Sequence, residues 1–328
     1  MAKSQCLCYA DLMQRENFKV GIIGCGKVGM TTAYALLLKG LPTELVLVDR
    51  KKEYVEGEDL DLEHGMPFMQ KAIITGTENY EDLREADVVI FTAGAAQKPG
   101  ESRLDLTAKN KAIVEEIIPK ILQYAPSALI IMVTNPVDVL TFHANQVAQA
   151  ISQAGTANVR PGQIFGSGTL LDTSRFRFHL SEMLNLHPRS IHAYILGEHG
   201  DSSFPTLHSA TVGGQRLTTL PDFSMEMAES AYEQAKNAAY KIIEGKGATY
   251  YAIATVLTHI VEAIHHDNRS VLPLSTPIND YHGHSGVSLS VPCVISRQGI
   301  ERTLVIDLSD EEKGKLAHSV DTIRQYQG

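Results

Sequence analysis

The stretch "FKVGIIGCGKVGMTTAYALLLKG", Phe18 to Gly40, decides the fold. Its opening run carries Phe18, Val20, Ile22 and Ile23, the density of bulky apolar residues expected of a strand covered on both faces. Gly24-Cys25-Gly26-Lys27-Val28-Gly29 then spells G-x-G-x-x-G, and Met30 to Gly40 continues as a helix ended by glycine. At a strand-to-helix junction these glycines allow a tight turn and bring backbone N–H groups close to a pyrophosphate at the positive end of the helix. Asp49 follows twenty residues after Gly29, at the end of the next apolar run, where a carboxylate can accept hydrogen bonds from an adenosine ribose. The six-residue pattern is common by itself; the strand before it, the helix after it and the acid at this distance make it specific. A dinucleotide is therefore expected on Gly24, Gly26, Lys27, Val28, Gly29 and Asp49. A 2′-phosphate beside Asp49 would be repelled, which favours NAD over NADP, although Arg50, Lys51 and Lys52 relieve part of that repulsion.

Outward from this unit the same rhythm recurs. "ELVLVD" (44–49), "ADVVIFTAG" (86–94) and "SALIIMVTNP" (127–136) are apolar strand candidates, "KAIITGT" (71–77) is a weaker one, and helix-length segments separate them. Buried strands alternating with helices imply a doubly wound parallel α/β sheet of the Rossmann type. From about Gly166 the rhythm changes. "TLLDTSRFRFHLSEML" and "MEMAESAYEQAKNAAYKIIEGK" read as helices, "SIHAYILGEHGD" as a strand entering a loop, "GVSLSVPCVISRQGI" as strand, and "SDEEKGKLAHSVDTIRQYQ" as a charged closing helix. The expected organisation is an N-terminal extension (1–17), an NAD-binding Rossmann domain (18–165) and a mixed α+β substrate domain (166–328). No Gly/Ser linker separates the last two, so they should pack closely.

Composition narrows the function. Apolar residues make up 44% of the 328-residue chain and charged residues 20%, as in ordinary globular proteins. A net charge of −9 argues against nucleic acid as a partner, because polyanion-binding surfaces carry an excess of Lys and Arg. Asp11, Arg15 and Glu16 interrupt any signal-peptide core, and no uncharged apolar run is long enough to span a bilayer, so a cytoplasmic protein with no membrane partner is expected. Cys6 and Cys8 supply half of a zinc shell at most, and Cys25 and Cys293 stand apart, so reduced, non-catalytic thiols are expected and no metal site. His265, His266, His282 and His284 read as solvated loop or helix-end residues.

Chemistry-bearing residues gather in three other stretches. "GAAQKPGESRLDL" (94–106) has the small, turn-forming residues of a loop yet carries Gln97, Lys98 and Arg103; "LLDTSRFR" supplies Asp172, Arg175 and Arg177; "ILGEHGD" supplies His199. Taken alone, Asp172 and Arg175 three apart on a helix would be read as a surface ion pair. Together with "VTNPVD", "GSGTLLDTSRFR" and "KGATYY" these stretches occur in an order that resembles the L-lactate/malate dehydrogenase family, its bacterial lactate branch above all, from about Phe18 to the C-terminus.

That resemblance implies an NAD-dependent reduction of a 2-oxo acid. His199 matches the family's proton donor and Asp172 the carboxylate that fixes its tautomer and favours the imidazolium. Arg175 matches the substrate anchor, a planar fork that holds a carboxylate by two hydrogen bonds. Asn135 is similar to the residue that bonds near the substrate carbonyl and the nicotinamide, and Thr249 to one lining the substrate pocket. The 94–106 loop resembles a lid that closes over substrate and delivers Arg103 to polarise the carbonyl. Gln97 occupies the position where malate enzymes have arginine. Closing over oxaloacetate would then strand its second carboxylate without a cation, whereas pyruvate leaves no charge unmatched, so reversible reduction of pyruvate to L-lactate is expected. Arg177 and His192, in a locally basic stretch, match positions at which allosteric bacterial relatives bind fructose 1,6-bisphosphate between subunits, which implies activation by that effector; the family is also usually a homotetramer. The alternatives are a 2-hydroxyisocaproate-type enzyme for larger side chains, a malate dehydrogenase, and a non-catalytic NAD-binding protein.

Overall fold

A computed structural model describes residues 17–95 and 102–327, the side chain of Arg103 excepted. In chain order the first half is β1 (Lys19–Ile23), α1 (Lys27–Lys39), β2 (Glu44–Val48), α2 (Lys52–Gly65), β3 (Ile73–Thr77), β4 (Val88–Phe91), α3 (Arg103–Tyr124), β5 (Leu129–Met132), α4 (Val137–Gln153) and β6 (Ile164–Gly166). The second half begins with α5 (Leu170–Leu184) and the two-residue strands β7 (Ile191–His192), β8 (Ile195–Leu196), β9 (Phe204–Pro205), β10 (Thr211–Val212) and β11 (Gln215–Arg216). It continues through α6 (Met225–Lys246), α7 (Tyr251–His265), β12 (Ser270–Pro277), β13 (Ser288–Ser296), β14 (Gly299–Thr303) and α8 (Asp310–Gln327).

The five apolar runs of the first half all become strands. Every residue of β4 and β5 is buried, as a parallel strand covered by helices on both faces requires. Pairing is parallel from β6 through β5, β4, β1 and β2 to β3, so strand order reverses between β1 and β4. That reversal is the switch point of a Rossmann sheet, and ligands bind in the crevice beyond the strand ends there. The helix after β1 stops where the sequence says it should. Gly40 turns left-handed at φ 64°, and its N–H returns to the carbonyls of Leu36 and Leu37.

The second half does not build a separate sheet for its longest strands. β12 joins the edge of β6 through Ser275 opposite Gly166, and β13 and β14 extend the sheet antiparallel. β12 escapes a pattern reading because Pro273 interrupts it. In the register Pro273 faces Pro292, whose carbonyl accepts from Leu304 N on the β14 side, so this rung asks no N–H of the β12–β13 ladder. One apolar core then runs across both halves: Val20 and Leu36 share it with Phe165, Ile260, Val291 and Val320, and α7 packs on α1. "SIHAYILGEHGD" forms the two short strands β7 and β8 instead of one.

His265 departs from the expectation that it is solvated. It ends α7 but is buried, with its ring 4.5 Å from that of Phe18; burial lowers its pKa, and His266 and Arg297 add to that. Among the described residues no helix is long and apolar enough to cross a membrane.

Candidate active site

Beyond the ends of β1 and β4 lies a crevice of about 560 Å³ lined by Gly24, Gly26, Asp49, Tyr54, Tyr80, Thr92 and Gly94 among others. The three glycines do different work. Gly24 is left-handed at φ 94°, and a Cβ there would lie 2.6 Å from Ala93 N; a Cβ on Gly29 would lie 2.1 Å from Gly24 O, so α1 and the turn touch backbone to backbone. A Cβ on Gly26 would meet nothing within 4 Å. That open face lies at the start of α1, which has no side-chain cap and no acid in its first turn, so its N–H groups remain for an anion. Asp49 is fixed beside it: Oδ2 accepts Cys25 N at 2.9 Å and Oδ1 accepts Lys51 N at 3.1 Å. Tyr54 donates its hydroxyl to Cys25 O at 3.0 Å and holds the turn from the other side. These residues fit the pyrophosphate and adenosine ribose of a dinucleotide.

The second centre is assembled from distant segments. From the first turn of α5, Asp172 Oδ2 meets His199 Nδ1 at 2.6 Å, while its Oδ1 accepts Arg175 Nη1 at 3.2 Å. The side chains of His199, Asp172 and Arg175 are 28%, 17% and 12% exposed, so the trio is sheltered but open to a small ligand. A carboxylate can only accept, so Nδ1 carries the proton and Nε2 is left for a ligand. The charge of Asp172 raises the His199 pKa to about 9; burial opposes the rise and the hydrogen bond supports it. Burial alone would raise Asp172, but the His199 and Arg175 charges outweigh it and its pKa falls below the usual carboxylate range. The trio fronts a cavity of about 210 Å³ whose other wall is α6, through Tyr232, Ala235, Lys236, Ala239, Tyr240 and Ile243. Arg175 Nη2 is buried without a hydrogen-bond partner among the described residues. A buried guanidinium nitrogen left unpaired is costly, and a carboxylate ligand would satisfy it.

Other sequence candidates fall in several places. Asn135, between β5 and α4, accepts Val137 N on its side-chain oxygen at 3.3 Å, and its amide N–H groups meet no acceptor among the described residues. Thr249 lies in the link between α6 and α7 and is not among the residues lining the 210 Å³ cavity. Arg177 Nε donates to Ala193 O at 2.7 Å with its guanidinium over Tyr194, and His192 is exposed in β7. Gln97 and the side chain of Arg103 lie outside the described residues.

Two residues went unnoticed in the sequence. Asn110 is buried in α3; its Oδ1 accepts Ala95 N at 2.8 Å and its Nδ2 donates to Asn135 O at 2.8 Å, which ties the segment after β4 to Asn135. Asp138 is buried in α4 and accepts His199 N at 2.6 Å. Each sits inside or beside a stretch quoted above, but an amide in a helix and an acid in a first turn have ordinary explanations of their own.

A dinucleotide crevice at the switch point, with a charged imidazole, its carboxylate and an unsatisfied guanidinium in the adjoining half, defines an NAD-dependent oxidoreductase. Residues 18–154 match the model of the lactate/malate dehydrogenase NAD-binding domain, and residues 169–326 that of the lactate/malate dehydrogenase alpha/beta C-terminal domain. An L-lactate dehydrogenase of Thermoanaerobacterium saccharolyticum is 43% identical over 316 residues, which cover 94% of this chain and 98% of that one. L-lactate dehydrogenase 1 of Clostridium acetobutylicum is 40% identical, with 95% and 98% covered. Among solved structures, the minor L-lactate dehydrogenase of Enterococcus mundtii superposes with a TM-score of 0.89 at 35% identity, covering 95% of this chain and 98% of its own. The chain belongs to the lactate/malate dehydrogenase family.

Proposed function

We propose that the enzyme reduces pyruvate to L-lactate reversibly, with NADH as the hydride donor and His199 as the proton donor. The observation that carries this reading is the buried Nη2 of half-buried Arg175, without a partner among the described residues, beside the His199–Asp172 pair. A 2-oxo carboxylate gripped by Arg175 would lie against this pair in the same cavity. When bound, NADH supplies the hydride; the protein has to hold the acceptor, deliver a proton to its oxygen and exclude water. His199 Nε2 gives the proton, Asp172 stabilises the imidazolium before transfer, and a proton from solvent recharges the ring once the product has left. Arg103, which heads α3 and does not lie in a loop as the 94–106 reading has it, polarises the carbonyl, Asn135 bonds near it, and Thr249 borders the pocket. Neutral Gln97 selects the methyl end of pyruvate over a second carboxylate.

Support for L-lactate over other 2-hydroxy acids comes from the two curated relatives described above, both L-lactate dehydrogenases, and from Gln97. NADH oxidation measured with pyruvate, oxaloacetate and 2-oxoisocaproate tests it: pyruvate should give the highest kcat/KM, and preference for either other acid would reassign the substrate. The proposal extends to activation by fructose 1,6-bisphosphate at Arg177 and His192 of a homotetramer. Its support is the run of basic residues from Arg175 to His192, opposed only by Glu182, whose charges an anion would neutralise. A pyruvate saturation curve at mildly acidic pH should shift to lower concentration when the bisphosphate is added; an unchanged curve removes the effector from the account.

A further inference from the structure

Asp138 stands in the first turn of α4, three residues beyond Asn135, and is 2% exposed. An acid at this position usually faces solvent, where it favours the positive end of the helix. Here the side chain turns across the cleft between the two halves. Oδ2 accepts the His199 backbone N–H at 2.6 Å, and Oδ1 accepts the Ser275 hydroxyl of β12 at 2.6 Å. A carboxylate removed from water is destabilised unless donors and a counter-charge meet it, and those two donors and the His199 imidazolium do so. One rigid turn thereby carries Asn135 at one end and the support of the His199 loop at the other.

We propose that Asp138 is a positioning residue: its carboxylate holds the His199 loop in register with Asn135 and, as a second negative charge beside the imidazole, keeps His199 in its proton-donating form. The inference rests on the reading of His199 as the proton donor. Several charged groups face that ring. Asp172 and Arg175 come from α5, Asp138 from α4, Asp201 from its own loop, and Lys236 from α6, which donates to Asp201 O at 3.1 Å; Glu198, on the same loop, acts on Asp138 and accepts the Ser202 hydroxyl. β12 and α8 contribute the uncharged hydroxyls of Ser275 and Ser319, the latter accepting nothing from the ring but bonding Glu198 N at 2.6 Å. Asp172 is the larger influence on the imidazole, and Asp138 adds to it against Arg175 and burial. Burial pushes Asp138 itself up to about 6, while Ser275 and His199 hold it down, so it is a carboxylate at neutral pH.

The experiment compares kcat/KM for pyruvate from pH 5 to 10 at saturating NADH in the wild type and Asp138→Asn, together with an NMR titration of the His199 ring in each NADH complex. Asparagine can still accept the His199 N–H and can reverse its bond with the Ser275 hydroxyl, so it removes charge and keeps shape. The expected result is an alkaline limb and a ring titration moved down by about one pH unit, roughly tenfold in rate at the top of the range and little at neutral pH. Asp138→Ala should add a loss of about 100-fold that does not depend on pH, because the loop loses its support. Superimposable wild-type and Asp138→Asn titrations, or an equal loss at every pH, would overturn the proposal. If neither variant folds, Ser275→Ala decides: with Oδ1 no longer anchored, the carboxylate that holds the His199 loop is loosened, so kcat/KM should fall several-fold at every pH with the alkaline limb unmoved, and an unchanged kcat/KM overturns the proposal. A wild type that oxidises NADH with none of these acids defeats the catalytic reading instead, and the ring titration still reports on Asp138.

Discussion

At the level of single residues, charge accounts for the site. Arg175 already spends one nitrogen on Asp172 and keeps Nη2 unpaired, so one carboxylate completes it. Lysine in its place would match the charge without the fork, and Arg175→Lys should raise KM for pyruvate by about 100-fold or more while the NADH affinity stays as it was. If KM is unchanged, Arg175 does not hold the substrate. Gln97→Arg should move preference toward oxaloacetate by about 100-fold or more in kcat/KM, since a buried second carboxylate then finds a cation; equal ratios in wild type and variant would remove Gln97 from the specificity argument. The pH behaviour follows from His199, whose raised pKa of about 9 comes first from the Asp172 charge. Reduction uses the protonated ring, so kcat/KM for pyruvate should be flat through neutrality and fall as pH rises through about 9, whereas lactate oxidation should rise over the same interval. A fall centred near the ordinary histidine value would mean that the pair is broken in solution. The resemblance implies the pairing of His199 with Asp172, but residue patterns alone do not show it, and the contact of Asp138 with His199 is not legible at all, because the three residues are separated by whole elements and each has an ordinary reading.

At the level of elements, the nucleotide-binding turn was the most legible part of the chain, because a buried strand, three spaced glycines and a helix are local features. What the sequence did not disclose is that the glycines differ. Gly29→Ala forces a Cβ to within 2.1 Å of a backbone oxygen, whereas Gly26→Ala adds one to open space. Thermal melting should therefore fall by several degrees for Gly29→Ala and hardly at all for Gly26→Ala, while NADH binding weakens by about tenfold or more in Gly26→Ala because the new methyl fills the pyrophosphate's place. A Gly26→Ala enzyme with wild-type NADH affinity would mean that the cofactor does not approach that face. β12 was missed for a physical reason: Pro273 argues against an interior strand unless the ladder needs nothing from its nitrogen, and that condition depends on register with a partner far along the chain. The burial of His265 was likewise invisible, since its shelter is Phe18, brought there by the packing of α7 on α1.

At the level of the whole molecule, two halves share one sheet and one core, and the reaction is divided between them. The first carries the glycine turn and crevice at the switch point, the second carries His199 and Arg175, the acid and anchor of the proposed reaction, and Asp138 and Asn110 tie the boundary on either side of Asn135. On the proposed reading, the guanidinium of Arg175 and the imidazolium of His199 hold the substrate. The comparison that tests this most directly is the kcat/KM of the wild-type enzyme for pyruvate against oxaloacetate at saturating NADH and neutral pH. The account predicts that pyruvate leads by about 100-fold or more; an enzyme that reduces oxaloacetate at least as well would contradict it.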